Sequence, residues 1–407
     1  MSKAAASSAE KTAWGGVAFG LAIASFAAFQ QFKMPPVLPV MLQQYDYDLV
    51  LAGGFMSVYA LVGLLASLPL ARLIAKRGPL EPLWCALAVF LLGNLLTLAL
   101  PQSGWVVLAG RALEGLAFAV LALVGPASAN ANAARHHLPL VFGLTAAWIP
   151  MGQFSAALVA LPTQDAGLWR PVWWVGIAGI LVLALWLLQR RGRGLYLGGG
   201  AATHAPLKSE ERLLLWVAGM TFLLFSGQYL AYMTWFPTYL VDGLGFTPAE
   251  AIYAYLIPVV LVGAFNVISA SFLKRGLTPA NLLVIGFGLN SLCWWALPYV
   301  GEGLLGLALL LVYGAGAGLV PAGLFAMPNT ILGSGGATIA AFGIIMTMRN
   351  VGVLIGPILL ALLITADGGW HVAAPVFAAL CTAALLLALW LGRRLSLRAP
   401  ADSRQAR

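Results

Sequence analysis

The sequence predicts an all-α membrane protein, with twelve transmembrane helices arranged as two six-helix pseudo-symmetric bundles. Three observations carry this expectation. Only 9% of the 407 residues are charged and 61% are hydrophobic, whereas a soluble domain carries roughly a quarter charged residues. Apolar stretches of about 20 residues, enough to cross a hydrocarbon core about 30 Å thick as a helix, recur along the whole chain. Landmark residues in the first half also return in the second at a nearly constant offset. A soluble globular protein is excluded.

The apolar spans lie at about 14–42, 49–74, 80–100, 105–128, 138–162 and 169–188 in the first half. In the second half they lie at about 213–240, 249–273, 279–299, 303–327, 337–365 and 371–392. The expected organisation is a first bundle over 1–188, a linker over 189–212, a second bundle over 213–392 and a tail over 393–407. The first span is too long for the apolar core of a signal peptide and reads as a retained helix. Between the halves, Gln189 to Arg212 holds Arg190, Arg191, Arg193 and the triplet Gly198 to Gly200, the composition of a flexible linker.

The formal charge of +9 would point to nucleic acid in a soluble protein. Here the excess of basic residues in cytoplasmic loops explains it, and no nucleic-acid partner is expected. With both termini placed in the cytoplasm, 18 of the 22 Lys and Arg residues fall on the inner side. They include Lys3, Lys11, Arg72, Lys76, Arg77, Arg135, Lys208, Arg212, Lys274, Arg275, Arg393, Arg394, Arg398, Arg404 and Arg407, besides the linker arginines. The outer side keeps Arg170 and gathers Asp46, Asp48, Asp165, Asp242, Glu250, Glu302 and Asp367. This pattern predicts a bacterial inner-membrane protein.

The repeat is specific in its landmarks. Gln30 and Pro39 return as Gln228 and Pro237, and the turn Lys76-Arg77-Gly78 returns as Lys274-Arg275-Gly276, all 198 residues on. Phe142, Gly143 and Gly152 return as Phe342, Gly343 and Gly352 at 200, and Trp169 returns as Trp370 at 201. Parallel six-helix repeats of this kind place a substrate between the halves near the midplane and alternate access by rocking.

Several local motifs then carry a family resemblance. Leu70-Ala71-Arg72-Leu73-Ile74-Ala75-Lys76-Arg77-Gly78 keeps a basic turn between the second and third spans, without the acidic residue usual there. Gly110-Arg111-Ala112-Leu113-Glu114-Gly115 fits an R-x-x-x-G helix motif in the fourth span. With these motifs the chain resembles the major facilitator superfamily along nearly its whole length. Trp148-Ile149-Pro150-Met151-Gly152, Leu168-Trp169-Arg170-Pro171, Val320 to Ala326 and Asn350 to Pro357 look like the cyanate and nitroimidazole permease-like branch. The resemblance implies a secondary transporter, without a cofactor and working as a monomer.

Charge is costly in hydrocarbon, so ionisable residues at membrane depth are functional candidates. Away from the span ends, at membrane depth, stand Lys33, Arg111 and Arg349 against one carboxylate, Glu114. This balance predicts a small anionic solute. Lys33 lies three residues from Gln30 on one helix face; it either lines a cavity or snorkels to the outer headgroups. Arg111 offers a guanidinium fork to an oxyanion, or forms a structural pair with Glu114 three residues on. Glu114 is the candidate proton relay, an anion at Arg111 weakening the pair and favouring its protonation; its alternative is a permanently ionised partner.

Arg349, beside Asn350, has the neutral Ile149 as repeat-mate and no counterion evident in the sequence; bonding to carbonyls is the structural alternative. On the seventh span, Gln228 and Tyr232 share a face with Tyr229 nearby, and Trp235 is expected as an interfacial anchor. Tyr59, Trp148, Gln153 and Tyr313 are further cavity-lining candidates, while Asn94, Asn266 and Asn290 suit interhelical hydrogen bonds. Cys85, Cys293 and Cys381 are expected as small core residues. His136, His137, His204 and His371 show no metal-ligand spacing.

Proton symport of a small anion is the leading expectation. Efflux of amphipathic drugs or transport of a metallophore is the alternative on the same fold. A membrane-embedded enzyme lacks a deep histidine or an H-E-x-x-H pattern, and a sensor lacks an appended signalling domain.

Overall fold

The computed structural model describes residues 11–134, 136–190, 207–299, 301, 303–333, 339–365 and 369–398. Most of the expected linker, together with Lys3, Arg135, Arg191, Arg193, Arg404, Arg407, Glu302, Asp367 and His204, lies outside the described residues. Those described are almost entirely helical. Eleven helical stretches among them are long and apolar enough to cross a membrane.

The first stretch runs from α1 (Trp14–Phe32) through a tight turn at Pro35–Val37 into α2 (Leu38–Tyr45). Consecutive prolines remove backbone donors there, so the helix re-forms only beyond them. Next come α3 (Leu49–Arg77), α4 (Leu80–Ala99) and α5 (Gly104–Ala131). The fifth expected span is two short helices, α6 (Leu138–Ala146) and α7 (Trp148–Ala160), which corrects the expectation of one continuous helix over 138–162. Pro150 has no N–H for the carbonyl of Ala146, and the chain instead makes a tight bond from Ala147 N to Leu144 O, 3.2 Å. α8 (Arg170–Arg190) ends the first half.

The second half contains α9 (Ser209–Thr238), α10 (Pro248–Lys274), α11 (Pro279–Ala296), α12 (Leu304–Leu332), α13 (Ile339–Thr365) and α14 (Gly369–Arg398). By contacts the chain divides into two compact units, 1–200 with 232–263, and 201–231 with 264–407.

In the first unit α5 packs on α1, α3 and α4, and α1 also packs on α7. Phe19, Leu83, Phe90, Leu121, Val124 and Ile180 form one buried cluster there. In the second unit α11 packs on both α12 and α14, repeating the pairing of α4 with α5 and α8. Lipid tails are as apolar as leucine, so helices associate mainly through close packing and small residues. A Cβ on Gly93 would stand 2.6 Å from Gly110 O, and one on Gly286 would stand 2.8 Å from Gly316 O. Large apolar side chains instead line the outside: Leu65 and Trp105 are more than 70% exposed, as suits contact with lipid.

The loop before α8 is knitted by Gly167 N to Gln164 O, 2.8 Å, and Leu168 N to Thr163 O, 3.0 Å. Gly167 adopts φ +67°, which glycine takes without Cβ strain. Gln44 Nε2 donates to its carbonyl at 2.6 Å. The loop thereby presents Asp165, whose Oδ1 accepts from Ala249 N at 3.0 Å and caps the start of α10. Asp165→Ala is expected to cost about 0.5–1.5 kcal/mol at most, the usual net worth of one hydrogen bond, because Thr247 and Glu250 still cap the helix. Faster hydrogen exchange at Ala249 N, with exchange deep in α10 unchanged, would register it; an unaltered Ala249 rate would contradict it.

Candidate functional site

In the first unit three of the expected charges meet. Lys33 follows the last turn of α1, just before Pro35, so its side chain leaves the helix where the backbone is already interrupted. Its Nζ donates to Gln30 Oε1 at 2.7 Å, Asn94 Oδ1 at 2.6 Å and Glu114 Oε1 at 2.8 Å. An ammonium has three N–H donors, and all three are used. The indole of Trp173 lies 4.5 Å from Nζ. Lys33 is 0% exposed, so the snorkelling alternative does not hold.

Arg111, one turn before Glu114 on α5, is equally buried. Its Nη1 donates to Glu114 Oε2 at 2.5 Å and to Gln30 O at 2.8 Å. Nε donates to Phe55 O at 3.1 Å and Nη2 to Gln31 O at 2.6 Å. The carbonyl at Gln30 is accessible because the helix ends within a few residues. The guanidinium fork is thus directed at the protein itself. Tyr59 OH donates toward Glu114 Oε2 at 2.9 Å, or toward Gln30 O at 3.1 Å, and its ring lies 4.5 Å from Arg111 Cζ.

Glu114 is therefore shared by two cations and a phenol in a site closed to water. The pair read from the sequence is a cluster of two positive charges on one negative charge. Asn94 belongs to it: besides accepting from Lys33, it donates to Phe90 O at 2.8 Å. Gln30 Nε2 reaches Gly176 O at 3.3 Å, so both ends of that amide are engaged. Trp173, absent from the sequence-derived candidates, had only its position in an apolar span as a signal.

The second unit holds a neutral counterpart. Gln228, the repeat-mate of Gln30, is 1% exposed. Its Oε1 accepts from Trp294 Nε1 at 2.9 Å and from Tyr313 OH at 3.1 Å. Trp294 and Tyr313 stand 200 and 199 residues beyond Asn94 and Glu114, and Ala231 stands where the offset of 198 places the mate of Lys33. The duplicated position thus keeps its amide and loses its charges. Asn290, expected to bridge helices, is buried with neither amide atom bonded among the described residues.

Arg349 and Asn350 are half-buried on α13, and Arg349 Nη1 donates to Asn350 Oδ1 at 2.9 Å. The carbonyl of Arg349 accepts from Ser226 Oγ at 2.7 Å. No carboxylate pairs with Arg349 among the described residues. α13 reaches α9 closely because it carries Gly352 and Gly356: a Cβ on either would stand 2.1 Å from a carbonyl oxygen, of Leu223 and Gly227 respectively. The same seam occurs in the first unit, where a Cβ on Gly152 would stand 2.3 Å from that of Ala28.

The remaining candidates are dispersed. Tyr229 stacks with Phe225 at 5.6 Å between centroids, and Tyr232 with Phe236 at 4.6 Å. Gln153 Nε2 reaches Tyr255 OH at 3.4 Å, and Trp148 stacks on Phe118 at 5.8 Å. Trp235 is buried within the protein, not displayed at a lipid boundary. Cys293 and Cys381 are buried, but Cys85 is exposed: it lies on the outward side of α4, which corrects its placement in the core. Among the described residues no group of three or more His, Cys, Asp or Glu is placed to hold a metal.

Residues 20–342 match the sequence profile of the Major Facilitator Superfamily. Two Haemophilus influenzae proteins, each named as a probable sugar efflux transporter, are 25% identical to this chain over 294 residues. The matches cover 70% of this chain, with 70% of the protein from strain 86-028NP and 72% of that from strain PittGG. Among solved structures, a mutant of the nucleoside transporter NupG aligns with a TM-score of 0.72 at 14% identity, over 92% of this chain and 99% of that one; the likeness establishes the fold. With its membrane-spanning helices and a profile match over most of its length, the chain belongs to the Major Facilitator Superfamily and is an integral membrane transporter, not an enzyme.

Proposed function

We propose that this transporter moves a small anionic solute by alternating access, coupled to protons through Glu114. The observation that carries the solute class is Arg349: half-buried at mid-helix, with no carboxylate partner among the described residues. A guanidinium at that depth is costly unless a function retains it, and its planar fork suits a carboxylate or similar oxyanion. Asn350 at its side adds an amide, and Gln228 of the same unit adds a further polar group.

Coupling is assigned to the Lys33, Arg111 and Glu114 cluster, with Gln30 in support. In the present geometry every donor of Lys33 is used within the protein. A proton on Glu114 removes the charge that holds both cations. Lys33 and Arg111 then lose their shared counter-charge, and the first unit must rearrange to compensate them. The reading retains an inner bacterial membrane with both termini cytoplasmic, and a monomer whose partners are solute, protons and lipid.

The names of the relatives and the neutral cluster around Gln228 favour a second reading, export of an uncharged sugar. Purified protein in liposomes separates the two. Under the anion reading, uptake of labelled organic anions follows an imposed pH gradient. Glu114→Gln abolishes gradient-driven accumulation and spares counterflow, whereas Arg349→Lys weakens anion binding about 10- to 100-fold, the worth of a charge-assisted hydrogen bond. Transport of neutral sugars alone, unaffected by Arg349→Lys, would overturn the anion reading; equal loss of accumulation and counterflow in Glu114→Gln would overturn the coupling role.

A further inference from the structure

We infer that the amide nitrogen of Gln228, aimed by Trp294 and Tyr313, is a solute-binding donor and that the solute is a hydroxylated carboxylate of the sugar-acid class. This rests on the proposal of an anion at Arg349 and adds the part of the solute that carries no charge.

Three observations support it. First, the orientation of the Gln228 amide is fixed. An indole N–H only donates, so the atom facing Trp294 Nε1 at 2.9 Å must be the carbonyl oxygen. Tyr313 OH adds a second donor to the same oxygen at 3.1 Å. The NH2 group therefore points away from both aromatic partners.

Second, that NH2 group is buried and has no hydrogen-bond partner among the described residues. A buried unsatisfied donor costs about 1–3 kcal/mol, and such groups in native proteins call for a specific explanation. The repeat supplies an internal control, because Gln30 uses both ends of its amide. Two helices orient the Gln228 oxygen while its donors are left unused. A solute oxygen satisfies them; an apolar chain of the same size does not. Asn290, one turn before Trp294 on α11, contributes two more buried polar atoms without a partner among the described residues.

Third, Gln228 and Arg349 belong to one unit and one level of it. Ser226, two residues before Gln228 on α9, bonds the backbone of Arg349; two residues of helix rise only about 3 Å, so the two lie at one depth, although on different faces of α9. An anionic head at Arg349 thus brings the solute to the depth of the Gln228 donors. Trp294 and Tyr313 act through Gln228 and are positioning residues.

The test uses the full-length protein with two anions of equal carbon number, gluconate and hexanoate, and with glucose. Binding is read from thermal stabilisation and from competition against labelled gluconate. Wild type is expected to prefer gluconate to hexanoate by about 10-fold or more, one hydrogen bond to a solute oxygen being worth roughly 1.4 kcal/mol. Gln228→Leu should bring the two anions to equal affinity. Trp294→Phe keeps the ring but frees the amide to flip, and should lose much of the preference without changing hexanoate binding.

Equal binding of gluconate and hexanoate in wild type, or a preference unchanged in Gln228→Leu, overturns this inference and leaves the anion reading standing. Glucose bound more tightly than gluconate overturns the anion reading and with it the sugar-acid class. Absence of binding by either anion overturns both. Tyr313→Phe is the second positioning variant if Trp294→Phe does not fold, with the same partial loss expected.

Discussion

Glu114→Ala is expected to destabilise the protein by about 3–5 kcal/mol, the cost of removing one partner from a buried ionic group. The variant leaves two fully buried cations, Lys33 and Arg111, with their shared carboxylate gone. The remaining carbonyl and amide oxygens supply partial charges, but no full negative charge. Lys33→Met should behave differently. It leaves the Arg111–Glu114 pair intact and removes the surplus positive charge, but strips Gln30 Oε1 and Asn94 Oδ1 of a donor, so a smaller loss of about 1–3 kcal/mol is expected. Thermal unfolding in one detergent at fixed pH compares the variants directly. Equal losses in both would mean that the cluster is held by packing and not by its charge balance. The double variant Lys33→Met with Glu114→Ala leaves Arg111, held by three backbone carbonyls, as the one uncompensated cation of the cluster and should be less damaged than Glu114→Ala alone.

Gly356→Val is the second large effect. A Cβ there would stand 2.1 Å from Gly227 O and 2.7 Å from Gly227 C. Both contacts are with backbone, so no rotamer change relieves them, and α13 must move away from α9. Overpacking a tight core costs typically about 1–3 kcal/mol and occasionally more. This contact lies at the high end because two helix backbones meet. Gly343→Ala, on the same helix, is the control, since nothing among the described residues lies within 4 Å of its Cβ position. Folded yield by size-exclusion chromatography should collapse for Gly356→Val and remain at wild type for Gly343→Ala. Parallel behaviour would mean that the seam is not closed in the membrane as it is here.

Much of this architecture was legible in the sequence because membrane helices announce themselves by length and apolarity. The repeat was legible too, since Gln30, Gly152 and their mates retain their spacing. Arg111 and Glu114 could be paired because three residues is a helical neighbour distance. The third member could not: Lys33 meets Glu114 across 81 residues of sequence, and only the packing of α1 on α5 brings them together. Snorkelling was a fair alternative for a lysine near two prolines, and burial decides against it. Pro150 was visible as a potential bend, but whether a proline bends a span or splits it depends on the backbone bonds around it. The orientation of Gln228 likewise depends on aromatic residues 66 and 85 positions away.

The break at Ala147 also bears on how the chain enters the bilayer. α6 has 9 residues and α7 has 13, each short of the roughly 20 needed to span hydrocarbon alone. Neither half is a self-sufficient insertion signal, so the pair must partition together or be carried in by its neighbours. α1 is the natural escort, because it is made before α7 and packs on it. Biogenesis of the fifth span then becomes a tertiary event: its insertion waits for a helix synthesised more than 100 residues earlier.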